Sequence, residues 1–387
     1  MTRFLVSVVL IIFVAPISAT LLYLTLKLMT SKRVTIYDLA KELGISPSYI
    51  SKALNNHPSI STKIKQVVQS KAAELNYKQN SHAANLRQGS SKTIGVIVPH
   101  INQSFFSEAI AGIEEVCFEN KHGLIICQSH ESFKQECLAI DTLIHQNVDC
   151  ILISISAETL STAHLQTIKN NNIRLIQFDR YSEGLDSYIV SNDNEEASYS
   201  AVNNLIKQGY KKIAFTGGPE HLGVFKKRKE GYLRAISEAE LIIPYNYVVS
   251  DVLSKEKAMK VAMKLLSLKE PPDAFFAVSD HQSLGILQVA ESLNIKVPQQ
   301  LGIFGFANEA FTEIIKPSLS SVDQNSKELG RHAANVYFEK ILKNKIGRVN
   351  KREVRQSEAN KNEVIKSEII ARQSSIRIPV EADITRS

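Results

Sequence analysis

The sequence predicts a small all-α head followed by a larger α/β body folded as two lobes. Three observations predict it. Residues 34–54 scan as two short helices around a glycine turn. From Thr93 onward, short apolar runs alternate with helix-like segments. Residues 30–92 hold ten Lys/Arg against three acids, an excess equal to the +7 of the whole chain. The tail, 343–387, adds eleven basic residues against six acids, so the stretch between must be acidic. A basic module on an acidic body points to a polyanion partner for the module alone. A chain of 387 residues is long enough for two or three domains with cores of their own.

The first 28 residues are out of character, with no charge from 4 to 26. Such a run can span a bilayer or serve as a signal peptide. It can also lie upstream of a true start at Met29, five residues before the first helix. The last is the expected reading, and with it a cytoplasmic protein. A membrane tether through 4–26 is the alternative.

The head occupies 30–78. Thr35 and Asp38 form the start of a helix, a hydroxyl followed three residues on by a carboxylate. Ile36, Leu39, Ala40 and Leu43 make one apolar face, and Gly44 ends the helix. Ser46 caps the next helix, Pro47 takes its first position, and Ile45 and Ile50 staple its entry. A third helix follows a cap at Ser61, with Ile64, Val67, Val68, Ala72 and Leu75 as its apolar set. Helix, glycine turn, helix is the plan of the helix-turn-helix, whose second helix enters the DNA major groove. The bland reading is a helical hairpin in a core. The polar face of Ser48, Tyr49, Ser51, Lys52 and Asn55 argues for phosphates and base edges instead.

Residues 79–91 form a linker holding a short helical stretch, SHAANLR, too short to be stable alone. Such a segment can fold on DNA and present Leu86 as an apolar wedge to the minor groove. A plain linker is the alternative.

The body, 92–342, shows apolar runs at 94–98, 124–127, 151–155, 173–178, 213–215, 274–278 and 303–306. Helical patterns lie between them at 108–119, 136–146, 195–207, 228–239, 256–268 and 282–293. This alternation means βαβ units and parallel sheets. There are more strands than one compact sheet needs, hence two lobes, with expected crossovers near 190 and 318. Ligands of such sheets sit beyond the carboxyl ends of the strands, so two facing lobes make a hinged clamp for a small molecule. The tail ends in an expected strand at 368–372.

Several chemistries have no motif here. There is no phosphate-binding GxxxxGK[ST] or GxGxxG loop, no HExxH, no paired-cysteine zinc spacing and no GxSxG elbow. The four cysteines fit reduced, buried thiols. No enzyme, metal or cofactor is expected.

VTIYDLAKELGISPSYISKALNN, the ELNY that ends the third helix, ANLR and KTIGVIVPHINQSFF together resemble the LacI/GalR family of bacterial transcription regulators. Later stretches match in the family's order: IQFDR, KKIAFTGGP, AVSDHQSLG and GIFGFANE. The resemblance implies a periplasmic-binding-protein-like body and a homodimer on a near-palindromic DNA operator, controlled by a sugar-like small-molecule effector. It assigns base reading to Pro47, Ser48 and Lys52, with Lys52 where the family commonly has Arg. Thr35, Tyr37, Ser46, Tyr49, Ser51, Asn55 and Tyr77 match phosphate-contacting or head-packing positions. Ala83 and Leu86 match the minor-groove hinge. Phe105, Phe106, Asp179, Arg228, Phe276, Asp280 and Asn308 match the effector pocket. Core packing is the alternative for Phe105, Phe106 and Phe276, and a helix cap for Asp280. Two departures stand out: Gln79 replaces the usual hinge proline, and Ala307 stands where the family often has a sugar-gripping Asp. A membrane-anchored sugar-binding protein is the competing reading of the whole chain.

Overall fold

The computed structural model describes residues 34–78, 90–342 and 361–377. They form two separate units, the head and the body. The apolar run 4–26, the hinge residues Ala83 and Leu86, and Gln79 lie outside the described residues. Among the described residues, no helix is long and apolar enough to cross a membrane.

The head is three helices: α1 (Ile36–Leu43), α2 (Pro47–Leu54) and α3 (Thr62–Glu74). Its start is the expected reciprocal cap, with the Thr35 hydroxyl accepting from the Asp38 amide and the Asp38 carboxylate accepting from the Thr35 amide at 2.8 Å. Gly44 has φ 66°, the left-handed turn that a β-carbon would strain. Leu39, Ile50, Ala53, Ile60, Val68 and Ala72 fill the core. Two details differ from expectation. Val67 is half exposed, because the stripe rotates past it to Val68. Ser61 sits at the N-cap position, but its side chain makes no capping hydrogen bond.

The amino-terminal lobe of the body carries a six-stranded sheet in the order β11-β5-β4-β3-β1-β2, parallel throughout. Its strands are β1 (Thr93–Val98), β2 (Gly123–Gln128), β3 (Cys150–Ile153), β4 (Arg174–Phe178), β5 (Tyr188–Asn192) and β11 (Asn362–Ile365). Helices α4 (Ser104–Glu119) and α12 (Ser326–Asn335) pack together over one face. Helices α5 (Phe133–His145) and α6 (Ala163–Asn170) cover the other. Both faces are buried along the central strands, as parallel strands require, while the edge strands β2 and β11 are partly exposed.

The second lobe has a parallel sheet in the order β7-β6-β8-β9, built from β6 (Ile213–Thr216), β7 (Val248–Val249), β8 (Ala274–Ala277) and β9 (Gly302–Phe304). Helices α7 (Asn194–Lys207) and α8 (Gly223–Glu238) lie on one face, α9 (Lys255–Leu266) and α10 (Asp280–Ser292) on the other. A short helix α11 (Phe311–Ile314) precedes β10 (Ser321–Asp323), which pairs antiparallel with β12 (Glu368–Ile370).

The chain passes between lobes three times, at 192–194, 323–326 and 365–368. Crossovers near 190 and 318 were expected. The third belongs to the tail, where β11 closes the edge of one lobe's sheet and β12 joins β10 of the other.

Candidate DNA-reading head and effector cleft

In α2 the buried positions Ile50 and Ala53 fix which side faces out. That side carries Ser48, Lys52 and Asn55, all exposed, with Pro47, Tyr49 and Ser51 partly covered. The Ser46 hydroxyl accepts from the Tyr49 amide, so Ser46 acts as the helix cap. The Asn55 side chain donates to the Ser51 carbonyl at 2.8 Å. Tyr37 stands 72 % exposed on α1, a free aromatic surface with no packing reason to be there. Tyr77 packs against the head core, and Thr35 is engaged in its capping box. The head's acids are neutralised locally: Asp38 by its cap, and Glu42 and Glu74 by Lys71 at 4.0 and 2.8 Å. Among the described residues, Lys52 makes no ion pair.

The cleft lies between the lobes, beyond the carboxyl ends of the strands. One wall brings Phe105, Phe106, Asp179, Arg180 and Glu131; the other brings Arg228, Phe225, Phe306, His281 and Glu309. The cleft holds a volume of about 120 Å³. Ligand pockets usually run to roughly 300–1,000 Å³, so admitting a ligand means parting the lobes.

Asp179 ends its strand with φ 54°, a strained conformation often found at functional positions. Its carboxylate accepts from the Ser154 hydroxyl at 3.2 Å. Burial holds its pKa above the usual carboxylate range, against the pull of Arg180 and Arg228. The Arg228 guanidinium lies 3.7 Å from the Phe306 ring centroid and donates to Asn194 and to the Val278 carbonyl. Burial brings it down to about 10, with Asp179 opposing. Phe105 and Phe106 meet edge to face, 5.0 Å between centroids.

Three expected pocket residues sit elsewhere. Phe276 is fully buried within β8 and tilts against Phe215, because the middle of a strand covered on both faces never reaches its carboxyl end. Asp280 is also fully buried. Its carboxylate accepts from the Glu309 amide at 2.9 Å and the Ser321 hydroxyl at 2.8 Å, so it braces the turn after β9. Asn308 does not line this cavity: it bonds Asp323 and Arg372 and opens on a neighbouring hollow shared with Phe105, and both Ala307 and Asn308 take positive φ, 113° and 52°.

Other cleft groups were not among the residues matched to the effector pocket. Arg180 donates to both oxygens of Glu131 at 2.8 Å. Glu309, from the second lobe, accepts from the Ser104 amide at the start of α4. His100 stands 3.9 Å from Glu131, its pKa lowered mainly by burial. His100, Arg180 and Glu309 follow closely on apolar runs, at strand ends where a ligand is expected, but nothing local marked Glu131. A larger hollow of about 900 Å³ opens at the opposite end of the first lobe's sheet, near Asp149, Arg174 and Leu342. It lies at the amino ends of the strands, where such sheets do not bind their ligands.

Asp280 gives a pH prediction. Burial pushes its pKa up to about 7. The folded body therefore holds a proton that the unfolded chain releases near pH 4. Stability from this group is full at low pH and is lost as pH rises through 7. Between about pH 4 and 7 the slope approaches ~1.4 kcal/mol per pH unit. Asp280→Asn should flatten this part of the curve in urea titrations at stepped pH. An unchanged slope in the variant would count against the assignment.

A head with an exposed recognition face, carried with a clamp-like body, defines a ligand-responsive DNA-binding regulator. Residues 35–80 match the family described as bacterial regulatory proteins, lacI family, and residues 202–375 match a periplasmic binding protein-like domain. The NTD biosynthesis operon regulator NtdR of Bacillus subtilis is 31% identical over 80% of this chain and 93% of its own. The transcriptional repressor CytR of Escherichia coli is 30% identical over 81% of this chain and 91% of its own. The lac repressor dimer bound to operator and the anti-inducer ONPF shares the fold, with a TM-score of 0.74 at 19% identity, over 89% of this chain and all of that one. The chain belongs to the lacI family and is a transcriptional regulator. These relatives do not favour the membrane-anchored binding protein.

Proposed function

We propose that the chain represses transcription as a homodimer on a near-palindromic operator, each head reading one half-site. Pro47, Ser48 and Lys52 face base edges. Thr35, Tyr37, Ser46, Tyr49, Ser51, Asn55 and Tyr77 hold the backbone or support the helix that does. Residues 79–91, with Ala83 and Leu86, act as the hinge in the minor groove. The body takes a sugar or sugar derivative between Asp179 and Arg228, with Phe105 and Phe106 as the apolar wall. Asn308, Asp280 and Phe276 support that site from behind.

The observation that carries this reading is the meeting of Asp179 and Arg228, one from each lobe, on the same cavity. A hydroxyl-rich ligand can donate to the carboxylate and accept from the guanidinium. A thermal-shift screen of the full chain against hexoses, sugar phosphates, sugar acids and nucleosides tests it. A ligand at a hundred times its Kd adds about 2.7 kcal/mol of stability. The effector reading fails if no compound both raises the melting midpoint and changes operator affinity.

For the head, Lys52→Ala should weaken operator binding by about 1–3 kcal/mol and relax preference at one base pair. Selection of bound duplexes from a random pool reads this out. Uniform weakening without altered preference would make Lys52 a phosphate contact instead.

A further inference from the structure

We infer that the buried side-chain amides of Asn192 and Gln324 couple the cleft to lobe rotation, and that Arg228 acts on them through Asn194. The inference rests on reading the cleft as the effector site.

The contacts form an unbroken chain. The Arg228 Nε donates to the Asn194 side-chain oxygen at 2.8 Å. Asn194 opens α7, directly after the first crossover, and its side-chain nitrogen donates to the Asn192 carbonyl at 3.1 Å. The Asn192 side-chain nitrogen donates to the Gln324 carbonyl at 2.7 Å and to the Ile365 carbonyl at 3.3 Å. Gln324 returns the bond, its nitrogen donating to the Asn192 side-chain oxygen at 3.2 Å. Residues 192, 324 and 365 stand at the three separate crossovers. One buried asparagine therefore touches every point at which the chain passes between lobes. Next to it, the Asp193 amide donates to the Ile365 carbonyl at 3.1 Å, and the Asp193 carboxylate accepts from the Ser367 amide at 2.9 Å.

These groups are nearly dry: Asn192 is 5% exposed, Asn194 4% and Gln324 3%. A buried amide without its partner costs about 1–3 kcal/mol. One crossover cannot turn alone without leaving several such groups unmade, so the three turn together. Coupling between sites needs an element with discrete arrangements that both sites bias. Arg228 and Gln324 also line the cavity, so a ligand there loads the same network. Asparagine is required chemically. An aspartate at 192 would set a second oxygen against the two carbonyls that now receive its protons.

Hydrogen exchange on the full chain, with no ligand added, tests the idea. The Asp193, Asn325 and Ser367 amides report the three crossovers, and strands β1 and β8 report global folding. In Arg228→Lys all three reporters should exchange about tenfold faster by a common factor, although Arg228 itself touches only Asn194 among the crossover residues. A change confined to Asp193 would overturn the inference. In Asn192→Asp the three rates should separate. A shared rate in that variant would overturn it too. If β1 protection is lost there, Gln324→Ala is measured under the same criterion. Because no ligand is present, an empty effector screen and a failed relay remain distinguishable.

Discussion

Glu136→Ala is expected to destabilise the amino-terminal lobe by about 3 kcal/mol, since each buried donor left without its acceptor costs roughly 1–3 kcal/mol. Glu136 is fully buried on α5. One oxygen accepts from the Thr159 hydroxyl at 2.8 Å and from His164 Nε2 at 2.6 Å; the other accepts from the Ser156 amide at 2.5 Å. Truncation leaves the Ser156 amide and His164 Nε2 without an acceptor in a site with little access to water, while the Thr159 hydroxyl keeps Ser156 Oγ at 2.9 Å. Glu136→Gln should cost less, since one acceptor oxygen survives. Urea unfolding of the full chain gives the numbers, and a loss under about 1 kcal/mol in the alanine variant would sink the argument. The effect also reaches the cleft. The loop that Glu136 holds contains Ser154, which donates to Asp179, and Ala157, whose amide donates to Glu131 at 2.8 Å. From the other lobe, His221 Nε2 donates to the Ala157 carbonyl at 2.9 Å. A loosened loop should therefore weaken effector binding as well as folding.

The elements most legible in the sequence are those whose patterning is carried by large side chains. The capping box at Thr35, the turn at Gly44 and seven strands of β-branched and aromatic residues all fall where the pattern placed them. The structure also contains β5, α6 and α12, which that pattern did not reveal. α12 buries Leu329, Gly330, Ala333 and Ala334, a face with one large apolar side chain, so no apolar run marks it. β5 reads YIVSN, with polar residues that serve the crossover rather than the core. Within the cleft, the motifs found Asp179 and Arg228 because their neighbours are distinctive. Phe276 and Asn308 lie outside the lining of this cavity, since side-chain placement depends on strand register and backbone conformation, which no short motif carries. Glu131 and His100 came together only through the parallel pairing of β1 and β2, an arrangement no local stretch of sequence contains.

Gly330→Ala is expected to lower stability by about 3 kcal/mol, the upper part of the range for overpacking. A β-carbon at Gly330 would lie 1.9 Å from the Ala109 carbonyl oxygen of α4, and one at Gly112 would lie 2.1 Å from the Lys327 carbonyl oxygen of α12. The obstacle is backbone, so the helices must separate. The second lobe uses the same device: a β-carbon at Gly231 in α8 would lie 2.1 Å from the Glu195 carbonyl oxygen of α7. Each variant should lower the melting midpoint by roughly 6–12 °C. Their functional effects should differ. α4 begins at Ser104, which receives Glu309 across the cleft, and then presents Phe105 and Phe106 to it. Pushing α4 outward in Gly330→Ala moves that wall. Gly231→Ala instead separates α8 from α7, which puts strain on the Arg228–Asn194 bond between them. At matched stability loss, Gly330→Ala should weaken effector binding. Gly231→Ala should keep more of the binding but blunt the response of operator affinity. If both variants lose binding and response in the same ratio, the apolar wall and the crossover bonds do not have separate tasks.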